Sequence, residues 1–219
     1  MYLKRRMTQM SELATTLPAV KFKKNVTASD GINRWVEVDI GELSENKRIV
    51  IFGLPGAFTP TCSSQQLPGF EESYFLFRDA GIDDIYCVTV NDTFVCSKWA
   101  LEQELANVKV LPDGSGEFTI KMGMDVRKDN LGFGMRSWRY AAVYDNGILA
   151  WSGVEEGYGD NFEGDPYEVS KPDNVLEAVK GLNFTQGKEI KMDFSDTTCL
   201  LYTSPSPRDL STSRMPSSA

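Results

Sequence analysis

Apolar and polar positions alternate over Val20-Lys21-Phe22-Lys23 and again from Arg34 to Ile40, where Trp35, Val36 and Val38 stand out. A period of two predicts strands, and Ser29-Asp30-Gly31 between them predicts a hairpin turn. Ile40 to Leu43 opens a short turn or helix. Arg48 to Phe52 is a nearly continuous apolar run, the pattern of a strand covered on both faces. From Cys62 to about Phe77 the period changes, with Leu67, Phe70, Tyr74 and Phe77 at helical spacing. Pro68 inside that pattern predicts a kink, and Gly81 ends the helix.

The same reading continues down the chain. Asp84 to Val90 is a β-branched, apolar strand, and Thr93 to Leu105 is a helix expected to turn Phe94, Val95, Trp99 and Leu105 inward. Val108 to Leu111 is a short strand closed by Pro112-Asp113-Gly114, followed by a short helix over Glu117 to Met122. Residues 123–137 read as an irregular loop. Trp138 to Tyr144 and Ile148 to Val154 are strands joined by the turn signal Asp145-Asn146-Gly147. Glu155 to Asp165 is an acidic loop without calcium-loop spacing, read as solvated. Asn174 to Gly181 is a last helix with Val175, Leu176 and Val179 inward. A βαβ unit followed by a hairpin and a helix predicts an α/β protein: a mixed central β-sheet flanked by helices, preceded by an N-terminal β-hairpin. That is the layout of the thioredoxin fold.

The expected organisation is a mobile segment over 1–17, one domain over 18–181, and a linker or truncated region over 182–198. Residues 199–219 (CLLYTSPSPRDLSTSRMPSSA) read as the translation of a sequencing adapter rather than as evolved protein. Discounting that tail removes Arg208, Arg214 and Asp209, and takes Cys199 out of the functional cysteines.

Composition narrows the function. The 219 residues carry a net charge of −8, which argues against nucleic-acid binding. No apolar run is long enough to span a membrane. The basic start Lys4-Arg5-Arg6 lacks the apolar segment of a secretory signal. An untidy start upstream of Met7 or Met10 is favoured over a transit-peptide remnant, so the expected location is cytoplasmic, with organelle targeting left open. Histidine is absent from the sequence, which removes Ser–His and Cys–His dyads and histidine metal sites. Cys62, Cys87, Cys96 and Cys199 form no C-x-x-C pair; the position that would complete one after Cys62 is Gln65. Scattered cysteines fit a reducing compartment. No metal and no cofactor is expected.

The chemistry concentrates at Pro55-Gly56-Ala57-Phe58-Thr59-Pro60-Thr61-Cys62, where a strand hands over to a helix. Thr59 suits an N-cap and Pro60 the first helical position. Cys62 then lies in the first turn, where free N–H groups and the helix dipole favour a thiolate. Without histidine, a nucleophilic cysteine needs a hydroxyl, an arginine or the helix end to activate it.

Gly53-Leu54-Pro55-Gly56-Ala57-Phe58-Thr59-Pro60-Thr61-Cys62-Ser63 resembles the active-site motif of the type II (five-type) peroxiredoxins. The resemblance continues through Tyr86 to Val95, Pro112 to Phe118 and Leu131 to Tyr140, and covers roughly residues 18–180. It implies a peroxidatic role for Cys62, a peroxide-binding hydroxyl on Thr59, a shielding role for Pro55 and an active-site arginine at Arg139. Arg136 is equally readable as a loop ion pair or as a participant. Cys87 matches the second cysteine of plant-type members and is the candidate resolving residue. Its mid-strand position favours simple packing, and Cys96 is read as packing too. The resemblance therefore implies a one-cysteine cycle on hydroperoxide substrates, with glutathione and glutaredoxin or thioredoxin as reductant, in a homodimer. A thiol–disulfide oxidoreductase and a non-enzymatic redox sensor on the same fold are the alternatives.

Overall fold

The computed structural model describes residues 13–182 and Phe184. The expectations for 1–12 and for 185–219, Cys199 among them, lie outside the described residues. The chain opens with a hairpin of β1 (Lys21–Thr27) and β2 (Asn33–Asp39), paired from Lys21↔Asp39 to Thr27↔Asn33. Gly31, at φ 77°, sits in its turn, and Asp30 accepts the Ile32 N–H there. Asp39 caps the short helix α1 (Ile40–Ser44) by accepting from Gly41 N.

The central sheet has five strands, in the order Lys109–Pro112, Asp84–Thr89, Arg48–Gly53, Tyr140–Asp145 and Ile148–Val154. β3 (Arg48–Gly53) runs parallel to β4 (Asp84–Thr89), which runs parallel to β5 (Lys109–Pro112). On its other side β3 pairs antiparallel with β8 (Tyr140–Asp145), and β8 with β9 (Ile148–Val154). Asn146 and Gly147 both have positive φ in the β8–β9 turn, as a tight hairpin between right-twisted strands requires. The sheet is mixed and carries helices, as the sequence predicts.

Alternation along β3 divides the core between the two faces. Val50 and Phe52 pack with Leu67, Phe70, Phe77, Trp99, Val175 and Val179, while Ile49 and Ile51 pack with Phe22, Phe118 and Tyr140. Phe52 stacks on Phe70 at 4.1 Å between ring centroids. Full burial of each such ring contributes roughly 1.5–3 kcal/mol.

Several expectations are corrected. Residues 13–17 are not a mobile lead-in: Thr16 bridges Ile148, and Leu149 N donates to Thr15 O at 2.8 Å. The long helix after Cys62 is three pieces. A π-helical turn (Cys62–Gln66) is followed by α2 (Leu67–Glu72) and α3 (Tyr74–Asp79). Leu67 N reaches back to Cys62 O, which widens the helix just ahead of Pro68, a residue with no N–H to donate. In α4 (Thr93–Glu102) the buried face is Thr93, Cys96 and Trp99. Phe94 is 61% exposed, set edge-on against Trp35 of the hairpin at 5.8 Å. Residues 123–137 contain a small ribbon of β6 (Asp125–Arg127) and β7 (Met135–Ser137), with a 3₁₀ turn (Asp129–Leu131) between them. Between β5 and β6, α5 (Glu117–Lys121) buries Phe118 on the Ile51 face, and the last helix, α6 (Pro172–Gly181), packs on the Val50 face.

Candidate active site

Cys62 is 0% exposed, at the first turn of the helix that follows β3. The loop between them makes two sharp adjustments. Phe58 takes φ 62°, and Thr59 O accepts the first helical N–H, from Ser63, at 3.0 Å. The expected cap does not form: the Thr59 hydroxyl donates to Gly56 O at 2.8 Å. Bonded that way, it closes the turn of the loop and does not cap the helical N–H groups.

Two side chains brace this loop from other strands. Asn91, just beyond β4, accepts from Ala57 N at 3.0 Å and from the Thr89 hydroxyl at 2.9 Å. Arg136 lays Nη1 within 3.5 Å of Pro55 O and Val90 O and 3.4 Å of Asn91 Oδ1. A Cβ on Gly56 would lie 2.9 Å from that nitrogen, so a larger residue there would push the guanidinium tip aside. Pro55 is half-buried and tied into the loop through its carbonyl. Arg136 has no carboxylate partner among the described residues, so the loop ion pair is not what holds it; burial pushes its guanidinium below the ordinary arginine value.

Arg139 is 2% exposed, immediately before β8. Its Nη1 donates to Cys62 Sγ at 3.4 Å and to Gln66 Oε1 at 2.6 Å, while Nη2 pairs with Asp165. The guanidinium lies 5.5 Å from the Tyr167 ring centroid. Its Nε–H is buried without an acceptor among the described residues. Burial pushes this group down, but the negative charges of Cys62 and Asp165 and their hydrogen bonds outweigh it, so Arg139 sits above the ordinary arginine value. Burial also pushes Tyr167 up to about 12, keeping a neutral ring beside the cation.

The structure thus brings Cys62 and Arg139 into contact and places Pro55 and Thr59 on the loop leading to them. Cys87 lies in the same apolar cluster as Cys62, but in the middle of β4, between Phe52 and Val110 on the flanking strands. Its thiol is free and burial pushes it far up, toward the protonated form. Cys96 is buried and free as well. Among the described residues no group of His, Cys, Asp and Glu is placed to hold a metal ion.

Four residues around Arg139 escape sequence reasoning: Gln66, Asp165, Ser170 and Glu155. Gln66 had a signal, because it lies four positions after Cys62 and shares its helix face. The others arrive on the 155–171 segment, which has no period to read. That segment is not simply solvated, since Glu155 is 3% exposed and Asp165, itself 49% exposed in its side chain, holds the arginine.

The family model described as Redoxin matches residues 15–176. A peroxiredoxin of Rhizobium etli is 53% identical over 172 residues, 77% of this chain and 96% of that protein. The crystal structure of the Plasmodium falciparum antioxidant protein, a 1-Cys peroxiredoxin, superposes with a TM-score of 0.70 at 38% identity, covering 78% of this chain and 99% of its own. Reduced Prx3 of Vibrio vulnificus, solved in complex with hydrogen peroxide, superposes with a TM-score of 0.67 at 33% identity, covering 78% and 99%.

Proposed function

The chain belongs to the peroxiredoxin family, whose members are thiol-dependent peroxidases, and from that premise we propose that it reduces hydrogen peroxide and alkyl hydroperoxides at Cys62. The observation that carries this reading is the buried guanidinium of Arg139 at 3.4 Å from the Cys62 sulfur. A fixed cation there favours the thiolate without any histidine. The thiolate attacks the nearer peroxide oxygen. A sulfur–oxygen bond forms, the O–O bond breaks, and the pair of electrons leaves on the distal oxygen, which takes a proton to become water or an alcohol. Cys62 is left as a sulfenic acid.

Arg139 is suited to both ends of that step. It holds the thiolate through Nη1, and its unpartnered Nε–H is a donor for an oxygen that gains charge as the bond breaks. Thr59 joins by releasing Gly56 O and turning its hydroxyl to the peroxide, and Pro55 limits water at the sulfur. The hydrogen peroxide bound by the Vibrio relative supports the substrate class.

Return to the thiol is read as a one-cysteine cycle. An outside thiol condenses with the sulfenic acid, releasing water and leaving a mixed disulfide, and a second thiol displaces Cys62. Glutathione with glutaredoxin, or thioredoxin, supplies these thiols. The interior placement of Cys87 and the 1-Cys relative support an external partner. We also read the exposed Trp35–Phe94 pair as part of a homodimer contact.

The test is peroxide consumption with each reductant system in turn, on the full chain and on Cys62→Ser. The variant is expected to lose turnover entirely. Turnover at the wild-type level in Cys62→Ser would defeat the reading.

A further inference from the structure

A buried polar chain leads away from the Cys62 sulfur and ends on a carboxylate. Arg139 Nη1 touches Sγ at 3.4 Å and Gln66 Oε1 at 2.6 Å. Gln66 Nε2 donates to Ser170 Oγ at 3.4 Å, and that hydroxyl donates to Glu155 Oε1 at 2.7 Å. The same oxygen accepts Glu168 N and Ser170 N, each at 2.9 Å. Gln66 and Ser170 are both 0% exposed.

The direction of each bond in this chain is forced. Glu155 Oε1 accepts two backbone N–H groups and the Ser170 hydroxyl at 2.7 Å, so the single proton of Ser170 is committed to Glu155. The Ser170 oxygen is then an acceptor, and the Gln66 amide must present its NH₂ there. Its carbonyl oxygen must face the other way, toward Arg139, which only donates. A reversed amide would set NH₂ against a guanidinium and leave two buried groups unpaired, each at a cost of about 1–3 kcal/mol. Glu155 also anchors the other end of the arginine: its N–H donates to Arg139 O at 3.2 Å, and its carbonyl accepts Trp138 Nε1 at 2.8 Å.

We infer that Glu155 and Ser170 are positioning residues for the peroxidase reaction, acting through the Gln66 amide to aim Arg139 at the Cys62 sulfur. This rests on the reading of Cys62 given above. Neither residue touches the sulfur. What they set is which end of Gln66 meets the guanidinium, and so whether Nη1 is held within reach of Sγ.

The experiment reads the thiol itself. Cys62 alkylation by iodoacetamide is followed against pH, resolved to the Cys62 peptide by mass spectrometry, in wild type, Ser170→Ala, Gln66→Met and the double variant. Thermal melts confirm that each is folded. Ser170→Ala is expected to shift the alkylation profile to higher pH and to slow the peroxide reaction at neutral pH about five- to tenfold, one hydrogen bond's worth. Gln66→Met is expected to shift the profile at least as far, and the double variant no further than Gln66→Met alone, as members of one chain behave. A wild-type profile in Ser170→Ala, or shifts that simply add in the double variant, would overturn the inference. Should Ser170→Ala not fold, Gln66→Met decides, because it leaves the 168–170 turn intact; an unshifted profile there overturns it as well. Alkylation needs no peroxide, so loss of this inference and loss of the peroxidase reading are separate results.

Discussion

Arg139→Met is the most informative single change at the site. The substitution keeps a long apolar stem but removes the cation that lies 3.4 Å from Cys62 Sγ. At an effective dielectric of about 20, the bare Coulomb attraction of two opposite unit charges roughly 4 Å apart is ~4 kcal/mol, before the cost of desolvating either. Read instead as one charge-assisted hydrogen bond, the contact contributes about 1.5–3 kcal/mol. Loss of about 1.5 kcal/mol alone slows attack by roughly tenfold, and loss of about 3 kcal/mol by roughly 150-fold. Loss of a donor to the departing oxygen adds a further factor, by analogy with other oxyanion sites at ~2.7–4 kcal/mol. Together the two losses come to about 4–7 kcal/mol, so a fall of roughly three to five orders of magnitude in the second-order rate constant with hydrogen peroxide is expected. The fold should survive. Asp165 is half-exposed and regains water, and the main local cost is the buried Gln66 Oε1 left without its donor. Arg139→Lys is expected to fall between, because a point-like ammonium cannot serve Cys62, Gln66 and Asp165 together. The assay is stopped-flow oxidation of the reduced enzyme, with Cys62 alkylation against pH as the companion measurement. A rate within threefold of wild type, together with an unshifted alkylation profile, would refute the assignment of Arg139.

Thr59→Val, which removes the hydroxyl but keeps the shape, is expected to slow peroxide attack about ten- to a hundredfold, with Thr59→Ser within threefold; equal rates for all three would remove Thr59 from the chemistry. Cys87→Ala is expected to leave the peroxide rate unchanged and to cost about 1–2 kcal/mol in urea unfolding for the lost buried group. Intact-mass and peptide mapping after one equivalent of peroxide should show no Cys62–Cys87 disulfide, and finding it would make Cys87 the resolving residue. Burial raises the Cys96 thiol from 9.0 to about 12, with Asp92 adding to the effect and Lys24 opposing it. The unfolded thiol therefore ionises first, and this stability is present below pH 9 and lost as pH rises toward 12. Urea melts should show Cys96→Ala with a shallower alkaline loss than wild type, by roughly 2 kcal/mol at the middle of that window; parallel curves would contradict it.

The elements easiest to read in the sequence were those with the least choice. β3, β4 and β8 are covered on both faces, so their apolar runs are nearly unbroken, and the Asn146-Gly147 turn has a backbone that few other pairs adopt. Phe94 misled because an apolar side chain at helical spacing does not say which neighbour covers it, and here the neighbour is Trp35 across a second sheet. β6 and β7 are too short for a period to register. They are held by contacts from far away, such as Asp160 accepting Arg127 N at 2.8 Å. In the site, Cys62 could be singled out from its place at a strand-to-helix junction, whereas Arg139 was pointed to only by the family resemblance of Leu131 to Tyr140. Glu155, Asp165 and Ser170 were not legible, because an acidic loop and a serine before a helix look alike whether they face water or a guanidinium.

The position of the site follows from strand direction. β3 and β4 are parallel, with Gly53 opposite Val88, so the Cys62 loop and the Asn91 turn leave the sheet at the same edge. β8 is antiparallel to β3, with Gly53 opposite Tyr140, so that edge is also where β8 begins and where Arg139 must stand. The approach is close: a Cβ on Gly53 would lie 2.2 Å from Tyr140 Cε1 and 2.7 Å from Ser137 Oγ. A one-residue slip between β3 and β8 would turn Arg139 to the opposite face and exchange the two cores at once. The packing of Phe52 on one side and Ile51 on the other therefore specifies the register that sets Arg139 beside Cys62. Residues 77 positions apart meet because the hydrophobic pattern of β3 admits one alignment with β8, and the segment from Glu155 to Ser170 then folds over the arginine from its far side.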